Sequence, residues 1–359
     1  MAGSVSACWS PLIPFAKARL GVNDAQLGLL LLSFGVGSLI GVGVAGLFAA
    51  RIGPRPLVLA GGLGLCGLLP ALSVAASPVT LGAALFAFGA AMGALDVAMN
   101  AHGVEVEKAA GVPLMSGFHA LFSLGGFAGA AWITLSLRSN VSALAATIVA
   151  SLAGACLIAA AALGMLAARP AGQRPALFVW PSGLVAVIAI LAAAMFLAEG
   201  AVYDWSALLM VDRGVASRAD AGVGFILFAI AMTAGRLSGD RVVRRLAARR
   251  VLQWGGALAI LGLVWVLTCP FAPLAAAGFL LVGLGAANVV PVLFSAAGRQ
   301  TSMPPTLAVA AVTSTAYAGV LAGPPVLGFV AHAVGLPAAF WLLAGLLLLV
   351  PLLARTTTW

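Results

Sequence analysis

The sequence predicts an all-α membrane protein in which twelve transmembrane helices form two pseudo-symmetric six-helix bundles. Of its 359 residues, 63% are hydrophobic and 8% are charged, whereas soluble domains are about 45–50% apolar and about 25% charged. The chain also repeats itself at an offset of 196 residues, as from Trp9 to Trp205 and from Asp24 to Asp220. A repeat that fills half of the chain indicates two homologous halves.

The individual spans follow from apolar runs of about 20 residues, each of which can cross a hydrocarbon core of roughly 30 Å as a helix. The runs lack the alternation of polar and apolar residues that marks a membrane β-barrel. Because each half has an even number of spans, the second half enters the membrane in the same orientation as the first. The predicted spans are 1–16, 25–49, 56–76, 79–101, 114–136, 141–167, 181–210, 219–240, 251–269, 272–297, 305–331 and 336–354.

The first span is too short to cross. About 15 residues precede Lys17, which is roughly 22 Å of helix, and only eight residues precede Trp9. The equivalent helix of the second half starts near Pro181, about 24 residues before Trp205. We therefore expect the first helix to be incomplete at its N-terminus by roughly 10–20 residues, through truncation or a misassigned start codon.

A polar, proline-marked linker at 169–180 is predicted to separate an N-terminal bundle at 1–168 from a C-terminal bundle at 181–359. Small residues recur at helical spacing within spans and allow close helix contact in lipid, or alternatively sliding; examples are Gly35, Gly37, Gly41, Gly43 and Gly46. Prolines remove helix hydrogen bonds and predict bends in three spans. They are Pro11 and Pro14 in the first, Pro291 in the tenth, and Pro324 and Pro325 in the eleventh.

The net charge of +9 follows alternate loops, which argues for membrane topology rather than nucleic-acid binding. With both termini cytoplasmic, thirteen of the 18 basic residues are inside: Arg51, Arg55, Lys108, Arg169, Arg174, Arg236, Arg241, Arg244, Arg245, Arg249, Arg250, Arg299 and Arg355. The five outside are Lys17, Arg19, Arg138, Arg213 and Arg218.

The loop after the second span resembles the signature G-x-x-x-D-R-x-G-R-R of the major facilitator superfamily, and a second copy follows the eighth span. The first copy comprises Gly46, Arg51, Gly53 and Arg55, and the second Gly235, Arg236, Gly239, Asp240 and Arg241. In that family the acidic residue helps to close the cytoplasmic side. Ala50 replaces it in the first copy, so the resemblance implies that Asp240 carries this latch.

The segments 93–102, 113–126 and 198–206 resemble a bacterial inner-membrane subgroup that includes rhizopine-related permeases. This resemblance implies a carrier of sugars or polyols rather than a drug pump. The fourth span lacks the arginine, and the fifth the glycine–proline signature, that mark many proton-driven drug antiporters.

Ionisable groups inside spans are costly unless paired or hydrated, and are candidate functional groups. Asp96 and Asn100 share a face of the fourth span, His119 lies at a similar depth in the fifth, and Asn288 is the repeat partner of Asp96. An aspartate beside a histidine could couple proton movement to transport. The alternative is a structural hydrogen bond between the two helices. Asn100 and Asn288 are gate or packing groups that a substrate hydroxyl could also use.

Glu199 and Tyr203 share a face of the seventh span. Glu199 has no obvious cation nearby in sequence, so we expect it to face water or a partner in the other bundle. It binds substrate or a proton, or else makes a structural bond. Asp204 is interpreted as an outer-gate or capping residue.

Trp9 and Trp205 occupy equivalent places in spans that face the central cavity in the family. Their rings could stack on a sugar-like ring, with hydroxyls from Tyr203 and Tyr317. The alternative is an interfacial aromatic belt.

These patterns predict a proton-coupled secondary transporter of a small polar solute, working by alternating access as a monomer in the inner membrane. No catalytic motif or metal-ligand spacing is present in the sequence, so neither an enzyme nor a cofactor is predicted. The alternatives are efflux of amphipathic compounds and a sensor without transport. The predicted coupling residues are Asp96, His119 and Glu199; the predicted substrate-binding residues are Trp9, Asn100, Tyr203, Trp205, Asn288 and Tyr317.

Overall fold

The computed structural model describes residues 1–111, 114–166 and 180–356, and these are helical with no β-strand among them. The chain divides into two compact units. The first comprises Met1–Pro175 with Arg218–Gly222, and the second Ala176–Ser217 with Val223–Trp359. The predicted linker lies outside the described residues except for its last residue, as do Pro113, Arg169 and Arg174.

The first unit begins with a broken helix and continues with five long ones. Helix α1 is followed by a 3-10 turn at Ser10–Leu12 and by α2, and this interruption falls at Pro11 and Pro14, where bends are predicted. The helices are α1 (Ala2–Ala7), α2 (Ile13–Leu20), α3 (Asp24–Ile52), α4 (Pro54–Val74), α5 (Pro78–Ala110), α6 (Met115–Arg138) and α7 (Ala143–Gly164).

The second unit follows the same order of spans, except that its second and third spans share α9, and that its fourth and sixth spans are each divided into two helices. The helices are α8 (Gly183–Asp212), α9 (Val223–Thr268), α10 (Ala272–Ala286), α11 (Val289–Arg299), α12 (Pro305–Val334), α13 (Leu336–Leu347) and α14 (Leu349–Leu353). The tenth predicted span breaks just before Pro291, whereas α12 continues through Pro324 and Pro325.

Local sequence explains where helices begin. At the start of α3 the side chains of Asn23 and Gln26 each accept a hydrogen bond from the other's backbone N–H. Ser77 and Thr80 form the same reciprocal arrangement at the start of α5. These capping boxes satisfy N–H groups that the first helical turn leaves without partners.

Ten of the described helical segments are long and apolar enough to cross a membrane. Of the two remaining predicted spans, 219–240 corresponds to the shorter apolar helix Val223–Gly239, and 1–16 is the broken helix of α1 and α2. The all-α membrane architecture is confirmed, while the count of twelve spans stays a prediction. The predicted loop at 241–250 is helical on both sides of Ala247, where a non-helical backbone divides α9 into two helices; its alanines, leucine and arginines favour helix.

An arginine bonds to the C-terminal end of one helix in each unit. Arg19 donates to the carbonyl oxygens of Leu72 (2.9 Å) and Ala75 (3.0 Å) at the end of α4. Arg213 donates to Val266 and Cys269 in α9 and its C-terminal end, the latter at 3.1 Å. These carbonyls are equivalent under the repeat, so both arginines satisfy the acceptors that a helix C-terminus leaves open.

The repeat also places an alanine where the first half has a glycine. Gly53, between α3 and α4, has φ 79° and ψ 170°, and Ala247, within α9, has φ 62° and ψ 154°. Only glycine adopts this region without strain, which costs other residues of order 1–3 kcal/mol. The segment that follows the second copy of the loop signature is therefore strained at Ala247.

Ala247→Gly is expected to stabilise the protein by about 1 kcal/mol, because relief of strain exceeds the extra entropy that glycine loses on folding. Thermal unfolding in detergent measures the effect. The matched control is Ala248→Gly, where the backbone is helical and glycine should destabilise by about 0.5–1 kcal/mol. Equal destabilisation by both changes would show that Ala247 is unstrained.

Candidate functional site

An ion pair links two apolar helices of the second unit. The Nη2 atom of Arg236 on α9 lies 3.5 Å from Oε2 of Glu199 on α8. The Glu199 side chain is 18% exposed and that of Arg236 40% exposed. Charged groups within apolar helices are retained where they pair or contact water, and Glu199 and Arg236 form such a pair.

The Glu199 carboxylate uses only part of its hydrogen-bonding capacity. Its Oε1 atom is buried and has no hydrogen-bond partner among the described residues. An ionised carboxylate can accept about four hydrogen bonds, and a protonated one can also donate. The free oxygen is therefore a place for a proton or for a hydroxyl group of a solute.

The sequence predicts that Glu199 faces water or a partner in the other bundle, and the structure gives it the partner Arg236 in its own unit. The sequence interpretation assigned Arg236 to the cytoplasmic loop signature, but its guanidinium reaches Glu199. The available signal was the position of Arg236 inside the predicted span 219–240, where it should have been counted among the intramembrane charges.

Aromatic rings surround this region of the second unit. Tyr203 lies one turn after Glu199, and its ring meets that of Phe225 edge to face at 5.2 Å between centroids. Farther along, Phe196 and Tyr317 stack with centroids 6.5 Å apart. The predicted substrate-facing tyrosines are thus held by aromatic contacts between α8 and its neighbours α9 and α12.

Two repeat-related tryptophans are buried together with their indole N–H groups. Trp9 is 2% exposed and Trp205 is 0% exposed, and neither Nε1 atom has a hydrogen-bond acceptor among the described residues. A buried donor without an acceptor costs about 1–3 kcal/mol. A belt tryptophan keeps its N–H in water or among headgroups, so this burial favours the interpretation that the rings face the protein interior.

Asn288 contacts α9 from the break between α10 and α11. Its Nδ2 atom donates to the carbonyl oxygen of Gly235 at 3.1 Å. A Cβ added at Gly239 would lie 2.2 Å from its Oδ1 atom. Asn288 therefore packs against Gly235 and Gly239 of the second loop signature, as expected for a packing group. Its use by a substrate stays a prediction.

In the first unit, Asp96 lies within a small polar group. Asn100 donates from Nδ2 to the Asp96 carbonyl oxygen (2.8 Å) and to Oδ1 (3.2 Å). Asp96 and Asn100 are therefore in contact, whereas the described residues show no hydrogen bond or ion pair between Asp96 and His119, so the pairing of these two stays a prediction.

Glu107 sets where α6 starts and hence where His119 lies. Its Oε2 atom accepts hydrogen bonds from the backbone N–H groups of Leu114 (2.7 Å) and Met115 (2.9 Å). A carboxylate at a helix N-terminus satisfies free donors and interacts favourably with the helix dipole. Sequence reasoning did not identify Glu107.

The loop-signature residues divide by environment. Arg55 donates to the carbonyl oxygen of Ala162 at 2.9 Å, while Arg51 and Arg241 are exposed. A Cβ at Gly46 would contact nothing within 4 Å, but one at Gly235 would lie 2.5 Å from that of Ala287. The side chains of Ala50 and Asp240 lie outside the described set, so the predicted latch stays a prediction.

The sequence is similar to a known protein family and to known membrane proteins. A model of the major facilitator superfamily (MFS) matches residues 1–301. An uncharacterised MFS-type transporter of Yersinia pestis is 46% identical over 358 residues, covering 100% of this chain and 93% of that protein. Membrane protein MosC of Rhizobium meliloti is 31% identical over 336 residues, covering 93% of this chain and 82% of MosC.

Two solved structures share the fold. A mutant of the nucleoside transporter NupG superimposes with a TM-score of 0.80 at 14% identity, covering 99% of this chain and 96% of NupG. A variant of the E. coli fucose:proton symporter FucP superimposes with a TM-score of 0.59 at 18% identity, covering 100% and 96%. At these identities the likeness concerns the fold alone.

Proposed function

The chain belongs to the major facilitator superfamily and is a multi-pass membrane transporter, and we propose that it moves a small polar solute across the bacterial inner membrane with a proton. The solute is a sugar, a polyol or a related metabolite. Transport is secondary and works by alternating access, in which the carrier exposes its binding site to one side at a time.

The observation that carries the proposal is the Glu199 carboxylate, with one oxygen beside Arg236 and the other buried without a partner in the described part of the chain. A proton on this carboxylate removes the charge that attracts the guanidinium. Protonation therefore weakens the contact between α8 and α9, and its loss restores the contact. Such a two-state contact is what proton coupling requires.

The hydrogen-bonding groups of α8 support a hydroxyl-rich solute. Glu199 Oε1 accepts, Trp205 Nε1 donates, and Ser206 Oγ does both; all three atoms are buried without partners among the described residues. A polyol hydroxyl both donates and accepts, so it can satisfy each of them. An apolar drug leaves them unsatisfied, at a cost of about 1–3 kcal/mol for each buried group.

Asp96 and His119 form the second coupling candidate, in the first unit. Asn100 orients the Asp96 carboxylate, and the His119 imidazole provides a second group that can donate or accept a hydrogen bond. The interpretation of this pair as a structural contact makes the opposite prediction, that substitution lowers stability without changing the proton stoichiometry.

Proteoliposomes that contain a trapped pH-sensitive dye test the proposal. We expect sugars or polyols to acidify the lumen as they enter, and a protonophore to abolish the signal. Vesicles without protein and vesicles with Glu105→Gln, an exposed cytoplasmic change, are the controls. Transport of cationic dyes together with no flux or binding of any polar solute would contradict the proposal and favour efflux.

A further inference from the structure

Five arginines cluster in α9 between its two apolar stretches. This basic cluster consists of Arg241, Arg244, Arg245, Arg249 and Arg250, and all five are exposed. None forms an ion pair with an acid whose side chain the structure describes. Asp240 is the one acidic residue of the sequence after Asp220, so the cluster has a large excess of positive charge.

The basic cluster lies at the ends of two rows of exposed apolar side chains along α9. Before the break at Ala247, Ile230 and Leu237 are exposed, and Arg241 with Arg244 follows on the same face at helical spacing. In a membrane transporter such exposed apolar rows contact lipid chains. The row therefore passes from lipid chains directly to arginine, at the depth where headgroups lie.

A second row leads to the cluster from the other side of the break. Trp254, Leu261 and Trp265 are exposed on one face, and Arg250 lies one turn before Trp254. Tryptophan is favoured at the boundary between lipid chains and headgroups. Both rows thus place arginines beside the headgroups of the cytoplasmic leaflet.

The equivalent part of the first half lacks this excess. It has Arg51 and Arg55, and the guanidinium of Arg55 is already bonded to the Ala162 carbonyl oxygen. Membrane topology requires only an excess of positive charge on the cytoplasmic side. It does not require that the arginines lie on the same helix faces as the lipid-facing apolar side chains.

We propose that the basic cluster binds the phosphate group of an anionic phospholipid in the cytoplasmic leaflet. Arginine contacts phosphate through two parallel N–H groups, and Arg244 and Arg245 are both exposed just before the break at Ala247. Bound lipid neutralises the mutual repulsion of the arginines on either side of Ala247.

Native mass spectrometry of the full chain tests this, with phosphatidylglycerol or phosphatidylcholine added to the detergent-purified protein. We expect selective retention of phosphatidylglycerol. Arg244→Gln/Arg245→Gln should weaken it roughly 25-fold, about fivefold for each charge near the surface. The matched control, Arg299→Gln/Arg355→Gln, removes two other exposed cytoplasmic charges and should stay close to the parent affinity.

Arg244→Lys/Arg245→Lys keeps both charges and should keep most of the affinity, which separates charge loss from misfolding. Equal retention of the two lipids, or equal loss in the matched control, would overturn the proposal. Complete displacement of the lipid by inorganic phosphate or glycerol phosphate would do so as well, because the cluster would then be a site for soluble anions.

Discussion

Glu199→Gln is expected to abolish proton-linked uptake while solute exchange continues. Glutamine keeps the size of the side chain and an oxygen that accepts from Arg236, but it cannot take up or release a proton. Net uptake driven by a pH gradient should fall to the level of vesicles without protein. Exchange of labelled for unlabelled solute needs only the loaded carrier to change sides, and it should remain. Both rates are measured in the same proteoliposomes.

Arg236→Gln tests the same contact from the other side. It leaves the Glu199 carboxylate without its cation, and the loss of one charged hydrogen bond should lower stability by about 1–3 kcal/mol. Glu199→Gln/Arg236→Gln removes both charges and should recover stability without recovering proton-linked uptake. That separation distinguishes a coupling role from a structural one.

The control for this pair of variants is Glu105→Gln. Glu105 forms an exposed pair with Lys108 at 3.0 Å, and exposed pairs contribute about 0–1 kcal/mol. It should leave stability and uptake close to the parent values. If Glu199→Gln retains gradient-driven uptake, then Glu199 does not carry the proton, and Asp96 with His119 becomes the sole candidate of the coupling set.

The fold could be predicted because hydropathy and repetition are properties of the sequence itself. The ends of the helices were harder to predict from the sequence. Helix α5 continues to Ala110, beyond the predicted end at 101, because Glu105 and Lys108 support a helical turn outside the apolar run. A hydropathy pattern reports where lipid contact ends rather than where hydrogen-bonded turns end.

The candidate site could be predicted only in part, because partners depend on how helices pack. The residue types pointed to Glu199, but its partner Arg236 follows from the contact between α8 and α9. The hydrogen bonds by which Glu107 caps α6 depend on the path of the loop before that helix. The strain at Ala247 depends on its backbone dihedral angles, which the sequence does not show. Helical spacing alone places Asp96 and Asn100 on the same face, so the contact between them could be predicted from the sequence.

Gly89→Ala is expected to prevent proper folding of the first unit. Helices α3 and α5 touch through their backbones, and a Cβ at Gly89 would lie 1.9 Å from the Phe34 carbonyl oxygen. The atom it would meet is backbone, so a side chain cannot move aside and the two helices must separate. Overpacking of a tight contact costs about 1–3 kcal/mol or more. We expect the yield of monodisperse protein and the unfolding temperature to fall sharply.

Gly43→Ala is the matched control on the same interface-forming helix α3. A Cβ at Gly43 would contact nothing within 4 Å, and alanine favours a helix interior over glycine by roughly 0.5–1 kcal/mol. This variant should be as stable as the parent or more so. If Gly89→Ala is tolerated equally well, α3 and α5 can move apart without loss of the fold. The glycine rows would then serve sliding rather than fixed packing, because a sliding contact tolerates an added methyl group in at least one of its positions.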